Sequence, residues 1–143
     1  MGLSDAGAHC GAICDGGMPT FMLSHWARDR SRGNKTLPLA HMVKRQTKDT
    51  AEAFGLLDRG VLAPGYRADV NLIDFNRLDL RKPEVAHDLP AGGRRLIQRA
   101  DGYVATLAAG EVIVKDDEPT GNLPGKVLRG PQAAPGQASM KAA

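Results

Sequence analysis

The sequence predicts an α/β chain in which helices come first and strands follow. Before residue 54, apolar residues recur at three- and four-residue spacing, as they do on the buried face of a helix. After residue 68, short apolar runs are bounded by glycine and proline, which is typical of strands and turns. With 143 residues the chain fits one ordinary domain and is long enough to bury a core.

Helical spacing predicts three helices in the first half of the chain. The first covers residues 19–27. The second is capped by Thr36, and its buried face consists of Leu39, Met42, Val43 and Thr47. The third covers residues 49–54, is capped by Asp49 or Thr47, and ends at Gly55, because glycine tolerates the positive φ that closes a helix.

We call residues 53–74 the hinge, since helical sequence gives way there to strand sequence. Gly60 marks a second reversal shortly after the helix-ending glycine. Pro64 and Gly65 supply the fixed φ and the positive φ that the central positions of a type II turn need. A buried strand is expected next, over residues 68–75, with neighbours on both faces because it shows little polar alternation.

The rest of the chain mixes irregular and strand-like sequence. Residues 76–102 are charged and contain many glycines and prolines, so we expect an irregular loop. Residues 103–108 and 111–115 predict two strands, and Ala109-Gly110 between them fits a two-residue hairpin turn. Beyond Pro131 the residues are mostly Ala, Pro, Gly, Gln and Ser, which predicts disorder.

Charge and cysteine content exclude several classes of protein. The formal net charge of +3 comes from dispersed Arg and Lys residues and indicates a solvated surface. The basic cluster over residues 28–35 is interrupted by Asp29 and has few aromatics for base stacking, so a solvated loop explains it better than nucleic-acid binding.

Cys10 and Cys14 are too few for a disulfide framework. Without a leader or an apolar run of membrane-spanning length, we expect a cytoplasmic protein with no membrane contact.

The run Leu3-Ser4-Asp5-Ala6-Gly7-Ala8-His9 places small residues around one aspartate and one histidine. It resembles the loop after the eighth barrel strand in amidohydrolases of the N-acyl-D-amino-acid deacylase (D-aminoacylase) group. The hinge resembles a passage near the end of amidohydrolase-superfamily enzymes, where a final barrel helix leads through a Gly-rich turn and Pro-Gly into an Ala-Asp-x-x-x-x-Asp strand. Further similar runs are Pro19-Thr20-Phe21, Leu23-Ser24-His25-Trp26, Gly110-Glu111-Val112-Ile113 and Pro124-Gly125-Lys126-Val127-Leu128-Arg129.

The resemblance, which extends from Leu3 to about Gly130, implies a particular architecture. Residues 1–67 are expected to be the end of a catalytic (β/α)8 barrel, formed by a loop and helices. Residues 68–130 are expected to be strands of a small, mostly antiparallel β-domain, and residues 131–143 a disordered tail. A complete barrel needs roughly 250 residues, so we expect this sequence to be the last part of a larger fold, with an incomplete β-domain.

The resemblance also implies a catalytic residue, Asp5. In the family this aspartate sits against a zinc-bound water, takes its proton and later gives it to the leaving amine. Asp5 is also a candidate metal ligand, with His9 as a second one. Considered without the resemblance, an aspartate in a loop of glycine and alanine is usually a turn former. No residue is identified as substrate-binding.

A zinc site needs three or more ligands, and the usual ligand motifs are missing from this sequence. The four histidines are His9, His25, His41 and His87, and none of them forms a His-x-His pair. His25 and His41 are better explained as packing or surface residues, and His87 as a loop residue. Cys10 and Cys14 could bind metal or react, yet small buried cysteines are commoner. We therefore expect this chain alone to bind no zinc tightly.

These observations predict a function with open alternatives. The first is zinc-dependent hydrolysis of the amide bond of small-molecule N-acyl-D-amino acids, with this chain as the C-terminal part of the enzyme and inactive alone. The second is a non-catalytic interaction module or one half of a split amidohydrolase, completed by the missing N-terminal barrel segment or by self-association. A hydantoinase-like cyclic amidase is a further alternative, because Gly110-Glu111-Val112-Ile113 is shared with such enzymes.

Overall fold

A computed structural model describes residues 6–7, 11–30 and 35–136 of the chain. The fold divides into two compact units. Unit 1 combines Met1–Met42 with Asp74–Gly102, and unit 2 combines Val43–Ile73 with Tyr103–Ala143. Both units contain helices and antiparallel strands, which confirms the α/β class. The predicted division into a barrel end before residue 67 and a β-domain after it stays a prediction.

The helices of unit 1 begin after a 3-10 turn, Asp15–Gly17. Helix α1 covers Met18–Phe21 and continues directly into a π-helix, Met22–Asp29. The amide of Arg30 donates to the carbonyl of His25 at 2.9 Å, which is the five-residue spacing of a π-turn. The helix predicted over residues 19–27 is therefore confirmed, although most of it has the wider π geometry.

Unit 1 also contains two small antiparallel ladders where an irregular loop was expected. Strand β2 (Asp79–Leu80) pairs with β5 (Ala100–Asp101), and β3 (Glu84–Leu89) pairs with β4 (Gly93–Ile97). The prediction for residues 76–102 was wrong because the residues on both sides of the short turn Pro90–Gly92 pair as strands. Cross-strand pairs hold the second ladder, including Val85 opposite Leu96 and an ion pair of 2.6 Å between Arg95 and Asp88.

The core of unit 1 is organised around Leu78, whose side chain is fully buried. The Asp74 carboxylate accepts bonds from the amides of Asn76 (3.1 Å) and Arg77 (3.3 Å), so the chain turns just before Leu78. The amide of Asp74 donates to the carbonyl of Gly102 at 2.8 Å. Gly102 has φ +93 and lies so close to Leu78 that a Cβ would stand 2.7 Å from its Cα. Glycine is therefore required there.

The sheet of unit 2 has the strand order β1-β6-β7-β8, all antiparallel. Its strands are β1 (Val70–Ile73), β6 (Tyr103–Ala108), β7 (Glu111–Lys115) and β8 (Glu118–Pro119). Both strands predicted over residues 103–108 and 111–115 are confirmed. Ala109 (φ 52) and Gly110 (φ 85) form the predicted two-residue turn, and both have the positive φ of a type I′ hairpin.

Strand β1 does not have the buried position that was predicted for it. Within the described part of the chain it pairs only with β6, so it is an edge strand. Asn71 and Leu72 at its centre are exposed, and Leu72 has 55% of its surface accessible. An apolar run without alternation also suits an edge strand whose outer side is uncovered, and sequence alone does not distinguish the two situations.

The hinge has the turns that its glycines predicted. Helix α3 covers Lys48–Ala53 and is followed by Gly55 with φ +69. Gly60 has φ +81, and Gly65 has φ +85 within a turn closed by the 3.1 Å bond from the Tyr66 amide to the Ala63 carbonyl. The type II turn is therefore confirmed, because this type needs a positive φ at its third residue.

The predicted cap of α2 and most of its predicted buried face were wrong, whereas the predicted cap of α3 is correct in position. Helix α2 covers Leu39–Gln46, and of its expected buried residues only Met42 is buried, while Leu39 and Val43 are exposed. Its first turn closes on Pro38, whose carbonyl accepts from the Met42 amide at 3.1 Å. Thr47 is the N-cap residue of α3, and its carbonyl accepts from the Ala51 amide at 2.9 Å, but its side chain makes no capping hydrogen bond. Thr47 donates its hydroxyl to the Val43 carbonyl (2.8 Å), and Asp49 pairs with Lys44 (2.6 Å) and Arg45 (3.1 Å).

The tail departs in part from the predicted disorder. Residues 131–136 lie against the hinge, where Gln132 pairs with Leu56 in a parallel bridge, because the backbone at Gln132 finds hydrogen-bond partners in the turn after α3. Residues 137–143 lie outside the described residues. Within the described residues, the helices are too short and too polar to cross a membrane.

The close approach at Gly102 predicts a large cost for any side chain there. Gly102→Ala should lower the free energy of unfolding by about 3 kcal/mol or more, because the new Cβ meets backbone atoms of Leu78. Gly92→Ala is the matched control, since Gly92 also has positive φ (+71) but no atom within 4 Å of a Cβ. Its cost should be about 1–2 kcal/mol, from the backbone conformation alone. Urea unfolding measures both, and equal losses would contradict the packing argument.

Candidate active site

The predicted catalytic loop is only partly covered by the structure. Asp5, the predicted proton-transfer residue, and His9, the predicted second ligand, both lie outside the described residues. Ala6 and Gly7 are described, and both are exposed. A Cβ placed on Gly16 would lie 3.6 Å from the Cβ of Ala6. This part of the loop therefore passes beside the 3-10 turn that leads into α1.

The downstream end of the loop is anchored at Gly17. Gly17 is buried, and a Cβ there would lie 2.6 Å from Gln98 Oε1 and 2.7 Å from Leu80 Cδ2. Gln98 is itself held, because its side-chain amide donates to the Arg81 carbonyl at 3.0 Å. The start of α1 therefore packs directly on the ladder region of unit 1. A fixed helix start gives the preceding loop one defined end.

Aromatic contacts line the π-helix that follows. The His25 ring stacks on Phe21 with centroids 4.7 Å apart and planes 5° apart, and it meets Trp26 edge-on at 5.5 Å. Arg30 lies over the Trp26 ring at 4.3 Å. These contacts support the interpretation of His25 as a packing residue.

Arg28 is the main polar anchor between the π-helix and the turn around Leu78. Its guanidinium donates to the Leu78 carbonyl at 2.7 Å, and to the carbonyls of Phe75 and Asn76. It also forms a two-point ion pair with Asp29, at 2.7 and 2.8 Å. That hydrogen-bonded pair lowers the pKa of the Asp29 carboxyl and raises the pKa of Arg28.

Sequence reasoning missed the roles of Arg28 and Gln98. Arg28 was assigned to an exposed basic stretch, yet it belongs to the π-helix and its side chain is only 24% exposed. The sequence did contain a signal for Arg28. Arg28 directly follows an apolar helical face, and the carboxylate of the neighbouring Asp29 can orient its guanidinium. Gln98 had no sequence signal, because its contact partners are distant in sequence: Arg81 directly follows β2, and Gly17 directly precedes α1.

The acidic residues of the hinge form hydrogen bonds and ion pairs that stabilise the fold. Asp69 accepts bonds from Arg59 (3.1 Å), from Arg67 (2.9 Å) and from the backbone amide of Ala109 (2.8 Å). Arg59 also pairs with Asp58 at 2.8 Å, and this hydrogen bond lowers the pKa of the Asp58 carboxyl. The Ala-Asp-x-x-x-x-Asp pattern thus consists of Asp69, which binds two arginines and a hairpin turn, and Asp74, which caps the turn before Leu78.

The other candidate ligands are dispersed. His41 is exposed on α2, His87 is exposed on β3, and Cys14 is a half-buried free thiol. Cys10 lies outside the described residues. Over residues 6–7, 11–30 and 35–136, no group of three or more His, Cys, Asp or Glu side chains is arranged to hold a metal ion. The described residues therefore do not fit a zinc centre by themselves.

Comparison with known proteins decides the family. The model of the amidohydrolase family matches residues 1–114, which is most of the chain. The chain belongs to the amidohydrolase family. This amidohydrolase is 36% identical over 118 residues to an uncharacterised protein of Mycobacterium tuberculosis, a match that covers 80% of this chain and 19% of that protein. The chain thus spans about a fifth of the length of that curated relative. No solved structure matches the chain significantly.

Shorter matches connect this amidohydrolase with deaminases. A 5-methylthioadenosine/S-adenosylhomocysteine deaminase of Desulfitobacterium hafniense is 44% identical over 46 residues, covering 32% of this chain and 11% of the relative. An adenine deaminase of Lysinibacillus sphaericus is 56% identical over 32 residues, covering 22% of this chain and 6% of the relative. These matches support hydrolase membership at the level of the superfamily.

The Arg28 anchor predicts that lysine cannot replace arginine there. Arg28→Lys should lower the free energy of unfolding by about 1–3 kcal/mol, because an ammonium group cannot bind the Asp29 carboxylate and the carbonyls of the turn in the same fork. Arg94→Lys, at an exposed position of β4, is the matched control and should change stability by less than about 0.5 kcal/mol. Thermal unfolding distinguishes them, and similar small effects would contradict the anchor.

The lowered pKa of Asp58 predicts a pH dependence in unit 2. The folded-state pKa lies below the unfolded-state value of about 3.9, so the stabilisation is complete above that value and is lost as the pH falls through the folded pKa. Asp58→Asn should cost about 1 kcal/mol or less at pH 7, since the pair is partly exposed, and the cost should shrink as the pH falls below the unfolded-state value. Glu111→Gln, an exposed strand position, is the control. A loss that stays constant with pH would contradict the assignment.

Proposed function

We propose that this chain supplies the catalytic carboxylate of an amidohydrolase that cleaves the amide bond of N-acyl-D-amino acids. Family membership over residues 1–114 supports a hydrolase of this superfamily. The observation on which the narrower proposal rests is Asp5 within the run of residues 3–9, which is similar to the catalytic loop of the D-aminoacylase group. The anchored start of α1 supports a defined downstream end for that loop.

The proposed chemistry needs one proton carrier from this chain. Asp5 takes a proton from the attacking water, whose oxygen forms the new bond to the acyl carbon. The carbon–nitrogen bond then breaks, and Asp5 returns the proton to the leaving nitrogen. The products are a carboxylate and a free D-amino acid. Ala6 and Gly7, which follow Asp5 in the sequence, are exposed, and small exposed residues suit a loop that borders a substrate.

Zinc is the cofactor proposed for the complete enzyme, where it would lower the pKa of a bound water. A catalytic zinc site uses three protein ligands, and the residues that the structure describes do not provide such a group. In this proposal the remaining ligands come from additional polypeptide, either in a longer form of the chain or in a partner. The 19% coverage of the mycobacterial relative supports this, and the isolated chain should have little or no activity.

A non-catalytic interaction module, or one half of a split enzyme, is the second candidate. Exposed apolar side chains favour it, among them Leu62 at 87%, Phe54 at 68% and Leu72 at 55% exposure. Light scattering on the purified chain tests this candidate directly. Self-association, or co-purification with a second amidohydrolase segment, would support it. A monodisperse monomer in which every strand amide resists exchange would contradict any need for a partner.

The main test compares Asp5→Asn with the unchanged protein. The chain should be assayed alone with zinc, and joined to its upstream coding sequence, for release of free amine from N-acetyl-D-amino acids. We expect turnover only in the longer protein, and a loss of about 10²- to 10⁴-fold on Asp5→Asn, because asparagine cannot carry the proton.

Asp15→Asn is the matched control for that experiment. Asp15 is an exposed carboxylate in the 3-10 turn after the loop, and its replacement should leave turnover unchanged. Robust turnover by the isolated chain would contradict the need for further ligands. Full activity of the Asp5→Asn variant in the longer protein would contradict the catalytic assignment itself.

A further inference from the structure

The C-terminal residues 130–136, which we call the strap, lie against the hinge within unit 2. The Gln132 amide donates to the Gly55 carbonyl at 2.9 Å, and the Leu57 amide donates to the Gln132 carbonyl at 3.0 Å. Together they form a parallel bridge between Gln132 and Leu56. The strap thus satisfies one donor and one acceptor of the turn that follows α3, where the chain no longer makes helical hydrogen bonds.

Two prolines of the strap contact the two glycine corners of the hinge. A Cβ on Gly55 would lie 3.3 Å from the Cβ of Pro131, and a Cβ on Gly65 would lie 3.1 Å from the Cβ of Pro135. Both glycines have positive φ, +69 and +85, so they are the positions where the chain reverses. Proline has few backbone conformations to lose, so it suits a segment that must lie extended across two corners.

The strap is attached by few interactions and lies outside the part of the chain that defines the family. The family match ends at residue 114, before the strap begins. The strap's backbone contacts with the hinge consist of one bridge, whereas the β6–β7 ladder pairs four residues on each strand. Segments held by few hydrogen bonds open at a lower free energy than the sheet of the same unit.

We propose that the strap is a releasable lock on the hinge. When it is in place, the backbone from Gly55 to Gly65 is fixed at both corners. When it is released, the Leu57 amide and the Gly55 carbonyl lose their partners, and the hinge opens locally while the four-stranded sheet of unit 2 stays folded. This proposal goes beyond the proposed reaction and does not rest on it, because it is argued only from contacts between residues 55–65 and 131–135.

Hydrogen exchange on the full chain tests the lock. Gln132→Pro removes the donor to the Gly55 carbonyl, and a chain ending at Arg129 removes the whole strap. We expect exchange of the Leu57 amide to accelerate at least about tenfold in both, while the amides of Thr106 and Val114 in the β6–β7 ladder keep their exchange rates. The ladder amides report that the variants remain folded.

Gln132→Ala is the matched control, because among the described residues the Gln132 side chain bonds to the strap's own carbonyls at Gly130 (3.0 Å) and Pro131 (3.3 Å). It keeps the backbone donor and should leave Leu57 protected. Unchanged exchange at Leu57 after removal of the strap would overturn the proposal. Loss of protection in the ladder as well would also overturn it, since the strap would then be part of the cooperative core of unit 2.

Discussion

The Asp69 carboxylate is the interaction on which unit 2 depends. It accepts hydrogen bonds from Arg59 at 3.1 Å, from Arg67 at 2.9 Å and from the Ala109 amide at 2.8 Å. These bonds join the hinge to the turn between β6 and β7. Charge-assisted bonds of this kind are stronger than neutral ones and fix geometry as well as energy. Without an acceptor at this position, two arginines and a turn amide would lose a common partner.

The acidic residues of the hinge and the candidate catalytic residue are two different kinds of sequence feature in this chain. The acidic residues Asp69 and Asp74 lie within the part of the chain that matches the family, and their side chains bind arginines and backbone amides within the fold. Arg28 has the same character in unit 1, where it holds the turn around the buried Leu78. Chemistry in this chain is therefore proposed only for Asp5, in a short loop whose downstream end is fixed by the packing of Gly17.

Turns were predictable from the sequence because glycine has a specific conformational role. Gly55, Gly60 and Gly65 all have the positive φ expected of them, and β6 and β7 follow from their apolar runs. The β2–β5 ladder was missed because its two strands are distant in sequence, and the β3–β4 hairpin was missed because its charged residues, proline and glycines are also typical of a loop. The edge position of β1 was missed because its partner β6 is distant in sequence, and the apolar spacing of residues 19–27 does not distinguish π from α geometry. Of the candidate site, the sequence identified Asp5 by resemblance, while the anchors Arg28 and Gln98 required the fold.

In the proposed function, this chain contributes a carboxylate but not a complete metal site. Titration of zinc into the purified 143-residue chain, followed by calorimetry, tests this most directly. The account predicts no site tighter than roughly micromolar, because two candidate ligands, Asp5 and His9, are fewer than a catalytic zinc requires. Binding of one zinc per chain with roughly nanomolar affinity, lost on Asp5→Asn, would contradict it.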